Sequence, residues 1–300
     1  MAVVALTQDW VASRLPERPA RAHKGTFGRL LIVAGSLEYG GAALLTGLGA
    51  IRAGVGLACL ATPETVGMRL MGLVPELTSM LLAEEAPGLT APAGWRQLAT
   101  EAAGYQAFVI GPGLGRHPTT LRRARNFIGE LSHPAVVDAD GLTALAEGQR
   151  WWQSVRAPLV FTPHAGEFAR LKGMPPGTSV ADDDDQRADA ARDAAARWGQ
   201  VLVLKGAHTV IAAPTGDLLR SDIATPALAT AGSGDVLAGA IGAFLAAGLD
   251  PFDAAGCGVA VHGAAGLLAE ERIGHAGVVA RDIANLLPAA IEQLSRGKRE

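Results

Sequence analysis

Six short apolar runs recur along the chain and constrain its fold more than any other feature. Nearly every residue within each run is apolar, which is typical of parallel strands covered on both faces. The stretches between the runs have helical spacing, so strands and helices alternate. This pattern predicts a three-layer α/β/α domain with a mainly parallel central sheet. The runs are residues 29–35, 56–61, 107–111, 135–140, 158–163 and 201–206.

Other segments extend this pattern. Residues 208–220 predict two strands around a Pro-Thr-Gly-Asp turn, and therefore an antiparallel addition at the edge of the sheet. Acidic residues 182–185 precede a predicted helix over 186–198, where carboxylates near the amino end favour the helix dipole. From residue 233 onward the chain becomes helical and rich in Ala and Gly. No linker interrupts it, so we predict a single domain over residues 1–300.

Composition excludes several kinds of partner. Lys and Arg number 26 against 29 Asp and Glu, and the net charge of −3 gives no basic excess to hold a nucleic acid. Cys59 and Cys257 lie far apart without the spacing of a zinc site or a disulfide framework. The amino-terminal segment does not resemble a secretory signal, and the longest apolar run, 236–249, is too short to span a bilayer. We expect a cytoplasmic protein that binds neither nucleic acid nor membrane.

The strongest functional signal is the run from Gly232 to Asp235. Gly232, Ser233 and Gly234 lead directly into a predicted helix, so consecutive backbone N–H groups and the positive end of the helix dipole converge and can bind an anion. Asp235 would be repelled by a bound phosphate, and a base at this position is best explained by a hydroxyl that loses its proton while attacking phosphorus. The alternative interpretation is a plain capping acid.

Polar groups also follow four other predicted strands. The carboxyl ends of strands in an open α/β sheet are where ligands bind, so we expect these groups to share one site. Each has a simpler explanation by itself: a flexible glycine turn, a capping acid, an exposed histidine or an edge lysine. The groups are the glycines of GPGLG at 111–115, Asp138 and Asp140, His164 and Glu167, and Lys205.

Taken together, these motifs resemble one family, the ADP-dependent NAD(P)H-hydrate dehydratases of bacteria, which belong to the ribokinase-like superfamily. The resemblance runs in order from about residue 7 to about residue 290. It is carried by HKGTFG (23–28), AGSLEYGGAALLTGLGAIRAGVGL (34–57), IGPGLG (110–115), VDADGL (137–142), TPHAGEFARL (162–171), VLKGAHTVIA (203–212), AGSGDVLAG (231–239) and VHGAAG (261–266).

The resemblance implies a repair reaction and a ribokinase-like fold. The S-epimer of hydrated NADH or NADPH would be returned to the active dinucleotide while ADP is consumed to AMP and phosphate. Phosphorylation of the hydrate hydroxyl followed by elimination would achieve this, with magnesium bridging the phosphates of ADP. The family also implies a homotetramer and a functional link to an epimerase, which in many bacteria is fused ahead of the dehydratase; here we expect it to be a separate protein.

Individual residues take expected roles from the matching positions. Asp235 corresponds to the catalytic aspartate, and it also touches the hydrate together with Ala42, Gly113 and His164. Gly232, Ser233 and Gly234 form the phosphate cradle. The resemblance does not identify the side chains that hold the metal. The expected nucleotide contacts are Lys205, Gly206, Ala207, His208, Thr209 and Gly234.

One departure and two alternatives accompany this prediction. Ala231 stands where the family usually has the first glycine of a Gly-Gly pair, and it should narrow the backbone choices of the nucleotide loop. The main alternative is a small-molecule kinase of the same superfamily, such as a hydroxyethylthiazole kinase, which would use the same Asp235 and release a stable phosphorylated product. A nucleotide-binding sensor without turnover is the other.

Overall fold

The computed structural model describes residues 3–175, 177–178 and 183–296. Its strands are β1 Val4–Ala5, β2 Arg29–Val33, β3 Leu57–Pro63, β4 Thr78–Leu82, β5 Glu84–Ala86, β6 Leu89–Thr90, β7 Ala107–Ile110, β8 Ala135–Val137, β9 Leu159–Phe161, β10 Val201–Leu204, β11 Val210–Ala212 and β12 Leu218–Arg220. Its α-helices are α1 Gln8–Ala12, α2 Gly40–Ala53, α3 Glu64–Leu70, α4 Pro92–Glu101, α5 Pro118–Glu130, α6 Asp140–Ala146, α7 Ala165–Leu171, α8 Asp184–Trp198, α9 Ser233–Ala246, α10 Pro251–Ile273 and α11 Ala280–Ser295.

Ten of these strands form one sheet in the order β1-β12-β11-β10-β9-β8-β7-β2-β3-β4. The run from β10 to β4 is parallel throughout, whereas β11 is antiparallel to both β10 and β12. Strands β5 and β6 form a separate antiparallel pair. Because the central strands are parallel, their carboxyl ends all meet at one edge of the sheet.

Alternation along each strand divides the core between two faces. On β2, Leu30 and Ile32 pack with the apolar residues of α2, α9, α10 and α11. Leu31 and Val33 point to the other face and pack with those of α5, α6, α7 and α8. Both faces of the strand are therefore buried, which explains why its sequence is apolar at every position.

These observations confirm the predicted three-layer arrangement and the six strands. The antiparallel pair over 208–220 is also present, but it does not form the edge, because β1 pairs in parallel with β12 outside it. β1, β4 and the β5–β6 pair were not predicted, since they are short or half-polar. Asp182 of the acidic run lies outside the described residues; the helix that follows begins at Asp184.

Helix α10 is the one helix in the described ranges that is long and apolar enough to cross a membrane by length and composition. Of its most apolar 18-residue stretch, 78% is buried inside the fold. This is the pattern of a core helix. Cys257, which lies on it, is buried, as is Cys59 on β3, and neither forms a disulfide.

Close contact between α2 and α9 depends on glycine. A Cβ at Gly239 would lie 2.1 Å from the carbonyl oxygen of Thr46, and a Cβ at Gly49 would lie 2.4 Å from that of Val236. Both distances are shorter than any real carbon contact, so only glycine allows the two backbones to approach this far. The amino-terminal ends of the two helices, which carry Ala42 and the Gly232–Asp235 motif, are consequently held side by side.

We expect Gly239→Ala to lower the free energy of unfolding by about 1–3 kcal/mol, because the added methyl group must push the two helices apart. Gly41→Ala is the matched control: Gly41 lies in the first turn of α2 with nothing within 4 Å of its Cβ position. It should be neutral or stabilising by less than about 1 kcal/mol. Urea denaturation measures both; equal values for the two variants would contradict this account of the contact.

Candidate active site

The structure brings the predicted polar groups to the carboxyl edge of the sheet. Asp138 directly follows β8, and Lys205 directly follows β10. Between them, the segment after β9 forms an isolated parallel bridge in which His164 pairs with Lys205. The amino end of α9 faces the same place, since a Cβ at Gly234 would lie 3.3 Å from Lys205 Nζ and 3.9 Å from Asp138 Oδ2.

Lys205 lies at the centre of the charged groups. Its Nζ donates to Asp138 Oδ1 at 2.9 Å and lies 3.9 Å from Glu167 Oε2. Burial by itself lowers the pKa of Lys205, but the carboxylates of Asp138 and Glu167 outweigh it and raise the pKa above its usual value. The ammonium therefore stays charged and is available to a phosphate at the mouth of the site.

Asp235 lies in the first turn of α9 and is partly buried. Burial, followed by the negative charge of Asp138, raises its pKa to about 7 although Lys205 opposes the shift. A carboxylate with this pKa holds a proton strongly enough to accept one from a hydroxyl near neutral pH. The alternative interpretation of Asp235 as a plain capping acid does not account for this environment.

The turn that precedes α9 depends on Gly232. Its φ is +87°, a left-handed conformation, and a Cβ there would lie 2.4 Å from Leu45 Cδ1 on α2. Ala231 is not among the residues with positive φ. Alanine at position 231, in place of the first glycine of a Gly-Gly pair, is therefore not strained by a left-handed backbone. The narrower choice of φ and ψ angles predicted for Ala231 does not alter the turn that Gly232 makes.

A cavity of about 540 Å³ opens between the Lys205 segment and α9. Of the six residues expected to contact nucleotide, Gly234 and four residues of the segment after β10 line it, together with Ser233 of the cradle. His208 is not among its lining residues; it has a φ of +51° and its Nδ1 lies 2.7 Å from Asp184 Oδ2. The four are Lys205, Gly206, Ala207 and Thr209.

The opposite wall of this cavity was not predicted from the sequence. The segment 223–229, except Ala227, forms it together with Leu237, and several of the side chains are apolar, including Ile223, Pro226 and Leu228. An apolar wall facing a cationic segment suits a flat base attached to phosphates. The segment looks like an ordinary loop in sequence, and the fold alone places it against α10, where Ile223 meets Gly263 and Leu228 meets Gly266.

Two of the expected hydrate contacts, Ala42 and Gly113, lie where the loop after β7 meets α2. Gly113 has a φ of +60°, and a Cβ there would lie 2.5 Å from the carbonyl oxygen of Tyr39 and 3.0 Å from Cβ of Ala42. The GPGLG loop is fixed further by Gly115, whose N–H donates to Asp140 Oδ2 at 3.0 Å. Ala42 and Gly113 therefore lie side by side.

His164 has a structural role in addition to its expected contact. Its Nδ1 accepts hydrogen bonds from the N–H groups of Gly166 and Glu167, while Glu167 Oε2 accepts one from the N–H of His164. This reciprocal pair caps α7. The ring remains largely exposed, with its Nε2 3.5 Å from Glu167 Oε1.

His262 on α10 is a second residue whose role was not predicted, although its motif was noticed. It is buried, lines the 540 Å³ cavity, and places Nε2 3.0 Å from both Oγ and the carbonyl oxygen of Ser233. Burial lowers its pKa to about 4, so the ring is neutral at physiological pH. The sequence signal for this role was an ionisable side chain, His262, within the Ala- and Gly-rich stretch 254–266 of the helix.

Another cavity, of about 700 Å³, lies between the end of α5 and the loop before β9. It is at the amino ends of the parallel strands and includes none of the predicted site residues. The chemistry therefore concentrates at the carboxyl edge, although the larger opening is elsewhere.

Comparison with known proteins agrees with this geometry. The family model for NAD(P)H-hydrate dehydratase matches residues 30–289. A Bacillus subtilis protein named ADP-dependent (S)-NAD(P)H-hydrate dehydratase is 36% identical over 285 residues, covering 94% of this chain and 95% of that protein. The chain belongs to the NAD(P)H-hydrate dehydratase family. The resemblance inferred from the motifs is thereby confirmed.

Two further comparisons place this dehydratase family member among its relatives. The bifunctional NAD(P)H-hydrate repair enzyme Nnr of Moorella thermoacetica is 40% identical over 96% of the chain, but the match covers 54% of that protein. The chain thus spans about half the length of the first relatives it matches. A crystal structure of the ADP/ATP-dependent NAD(P)H-hydrate dehydratase from Bacillus subtilis, co-crystallised with ATP and Mg²⁺, superposes with a TM-score of 0.81 at 34% identity, covering 98% and 99% of the two chains.

The raised pKa of Asp235 predicts a pH-dependent cost to the stability of this dehydratase family member. Folding raises the pKa of Asp235 from 3.8 to about 7. The contribution of Asp235 to the free energy of unfolding is therefore fully present below about pH 4 and is lost as the pH rises through 7. Asp235→Asn should therefore raise Tm at pH 8 and change it little at pH 4. Calorimetry at both pH values tests this, with the exposed Asp222→Asn as control. No gain at pH 8 would contradict it.

Proposed function

We propose that the chain catalyses the ADP-dependent dehydration of the S-epimer of NAD(P)H hydrate, giving NAD(P)H, AMP and phosphate. The observation that carries this proposal is Asp235, a base with a raised pKa at the mouth of a phosphate cradle and beside a charged Lys205. Family membership specifies the substrate class, since a carboxylate and a cradle by themselves suit any alcohol that is phosphorylated.

The hydrate cannot simply expel its hydroxyl. Hydroxide is a poor leaving group because its conjugate acid has a pKa of about 15.7, whereas the second ionisation of a phosphate monoester lies near 6. Asp235 takes the hydroxyl proton while the hydroxyl oxygen attacks the β-phosphorus of ADP, and AMP leaves. The ring nitrogen lone pair then expels phosphate, and the adjacent ring carbon loses a proton to restore the double bond.

The cradle and the ammonium stabilise the group in transit. The N–H groups of Ser233 and Gly234 at the amino end of α9 point at the transferring phosphoryl, with Gly232 holding the turn. Lys205 adds a positive charge, and Gly206, Ala207, His208 and Thr209 continue the nucleotide segment. Ala42, Gly113 and His164 hold the hydrate.

Magnesium is the expected cofactor. Within the described ranges, there is no group of three or more His, Cys, Asp or Glu side chains that could hold a metal ion without help from a ligand. Magnesium commonly keeps waters and binds through one or two carboxylates plus substrate phosphates, so a site shared with ADP fits these residues. Asp138 and Glu167, the buried carboxylates beside Lys205, would hold it. When bound, the ion neutralises phosphate charge.

The direct test supplies purified protein with ADP, magnesium and chemically hydrated NADH. We expect reduced-nicotinamide absorbance to return with AMP and phosphate in equal amounts. Asp235→Asn should lower kcat by about 100-fold or more, because it removes the proton acceptor. No recovery with either ADP or ATP would overturn the proposal, and a stable phosphorylated product would instead favour a small-molecule kinase. Nucleotide binding without turnover, unchanged in Asp235→Asn, would favour a sensor.

The rate should also depend on the ionisation of Asp235. Since only the carboxylate accepts a proton, kcat/KM is expected to fall as the pH drops below about 7. The terminal phosphate of ADP titrates in a similar range, so the discriminating variant is Asp140→Asn, which leaves the proposed magnesium carboxylates in place. The charge of Asp140 also raises the pKa of Asp235, so its loss should lower that pKa and move the acid limb of the profile to lower pH. An unmoved limb would contradict this assignment.

Other expectations of the family remain predictions for this chain. They are a homotetramer, a cytoplasmic location, and a functional link to an epimerase that supplies the S-epimer. Sedimentation of the purified protein tests the first.

A further inference from the structure

The contact between His262 and Ser233 is not used by the mechanism above, yet it lies inside the site. His262 is 7% exposed and Ser233 is 4% exposed, and both line the cavity with Gly234. A single ring atom, Nε2 of His262, lies 3.0 Å from Oγ and 3.0 Å from the carbonyl oxygen of the same serine. Two polar atoms of one cradle residue are thus fixed by one imidazole.

The carbonyl oxygen determines which nitrogen carries the proton. A carbonyl can only accept, so Nε2 must be the protonated nitrogen; an unprotonated Nε2 would place two lone pairs 3.0 Å apart. The buried ring is neutral, so Nδ1 carries no proton. His262 therefore presents one N–H to Ser233, shared between the carbonyl oxygen and Oγ.

This tautomer fixes the role of the serine hydroxyl. Because Nε2 already carries a proton, Oγ of Ser233 can only accept from it, and its own O–H cannot point back at the ring. No other hydrogen bond of Ser233 Oγ occurs within the residues that the structure describes. The hydroxyl proton must therefore point away from the ring. The side of Oγ that is left for it faces the cavity.

We propose that the Ser233 hydroxyl donates a hydrogen bond to the phosphoryl group in transit, and that His262 is the positioning residue that leaves this proton free. The inference rests on the proposed function and adds a side-chain donor to the backbone N–H groups of the cradle. It concerns charge that grows on the phosphoryl oxygens during transfer, so it acts on kcat more than on binding.

Three variants test the proposal. Ser233→Ala removes the hydroxyl and keeps the backbone, and should lower kcat by about 10- to 100-fold with KM for ADP changed by less than about 3-fold. His262→Leu should give a similar loss, because Oγ then loses its fixed orientation. His262→Gln places an amide N–H near the position of Nε2 and should retain kcat within about 3-fold of the wild type.

The double variant Ser233→Ala/His262→Leu separates positioning from a general loss of packing. If His262 acts through the hydroxyl, the double variant should have the kcat of Ser233→Ala alone, whereas independent effects would multiply. The control is Thr62→Val on β3, which removes another buried hydroxyl that has no partner among the described residues and lies outside the cavity lining. It should keep wild-type kcat. Should His262→Leu fail to fold, Ser233→Ala and His262→Gln still carry the test.

Two results overturn the proposal. One is a wild-type kcat in Ser233→Ala. The other is a His262→Gln variant whose kcat is as low as that of Ser233→Ala or His262→Leu while its Tm equals that of the wild type. A third readout does not need turnover. Nitrogen-15 NMR of His262 should show the Nε2–H tautomer, unprotonated at Nδ1, at pH 7. The opposite tautomer refutes the positioning role, whereas an inactive wild type with the expected tautomer refutes the proposed function only.

Discussion

Close approach of α2 to α9 is the constraint on which the site depends. Gly49 and Gly239 allow the two backbones to meet, and this contact holds the amino end of α2 beside the amino end of α9. The surface around Ala42 and the cradle at Gly232 consequently face each other across a fixed gap. The proposed phosphoryl transfer needs such a gap, because in-line transfer tolerates little error in position.

Electrostatics at the carboxyl edge of the sheet follow from the strand order. β8, β9 and β10 are neighbours, so Asp138, Glu167 and Lys205 must share one region, and the amino end of α9 brings Asp235 to it. One ammonium among several carboxylates leaves Asp235 only partly compensated, which is why its pKa rises to about 7. The arrangement that suits a base therefore lowers the stability of the folded chain at alkaline pH.

The two sides of the site are built differently. The proposed nucleotide side combines a cationic segment after β10 with an apolar wall from the segment 223–229, an arrangement that suits phosphates at one end and a base at the other. The other side consists of tightly packed turns around Gly113 and Ala42, where backbone comes close to whatever is bound. Ser233 and His262 lie at the junction, buried between α9 and α10, where a hydroxyl can reach a group that moves from one side to the other.

Local sequence determined the six central strands and the cradle, because apolar runs and a Gly-Ser-Gly-Asp turn are signals carried by neighbouring residues. It could not place β1 outside β12, since Val4 and Leu219 pair across more than two hundred residues. The same limit applies to the wall at 223–229 and to the hydrogen bonds between His262 and Ser233. The sequence could name Asp235, but only the tertiary structure decided its pKa, because that value depends on burial and on charges brought from distant strands.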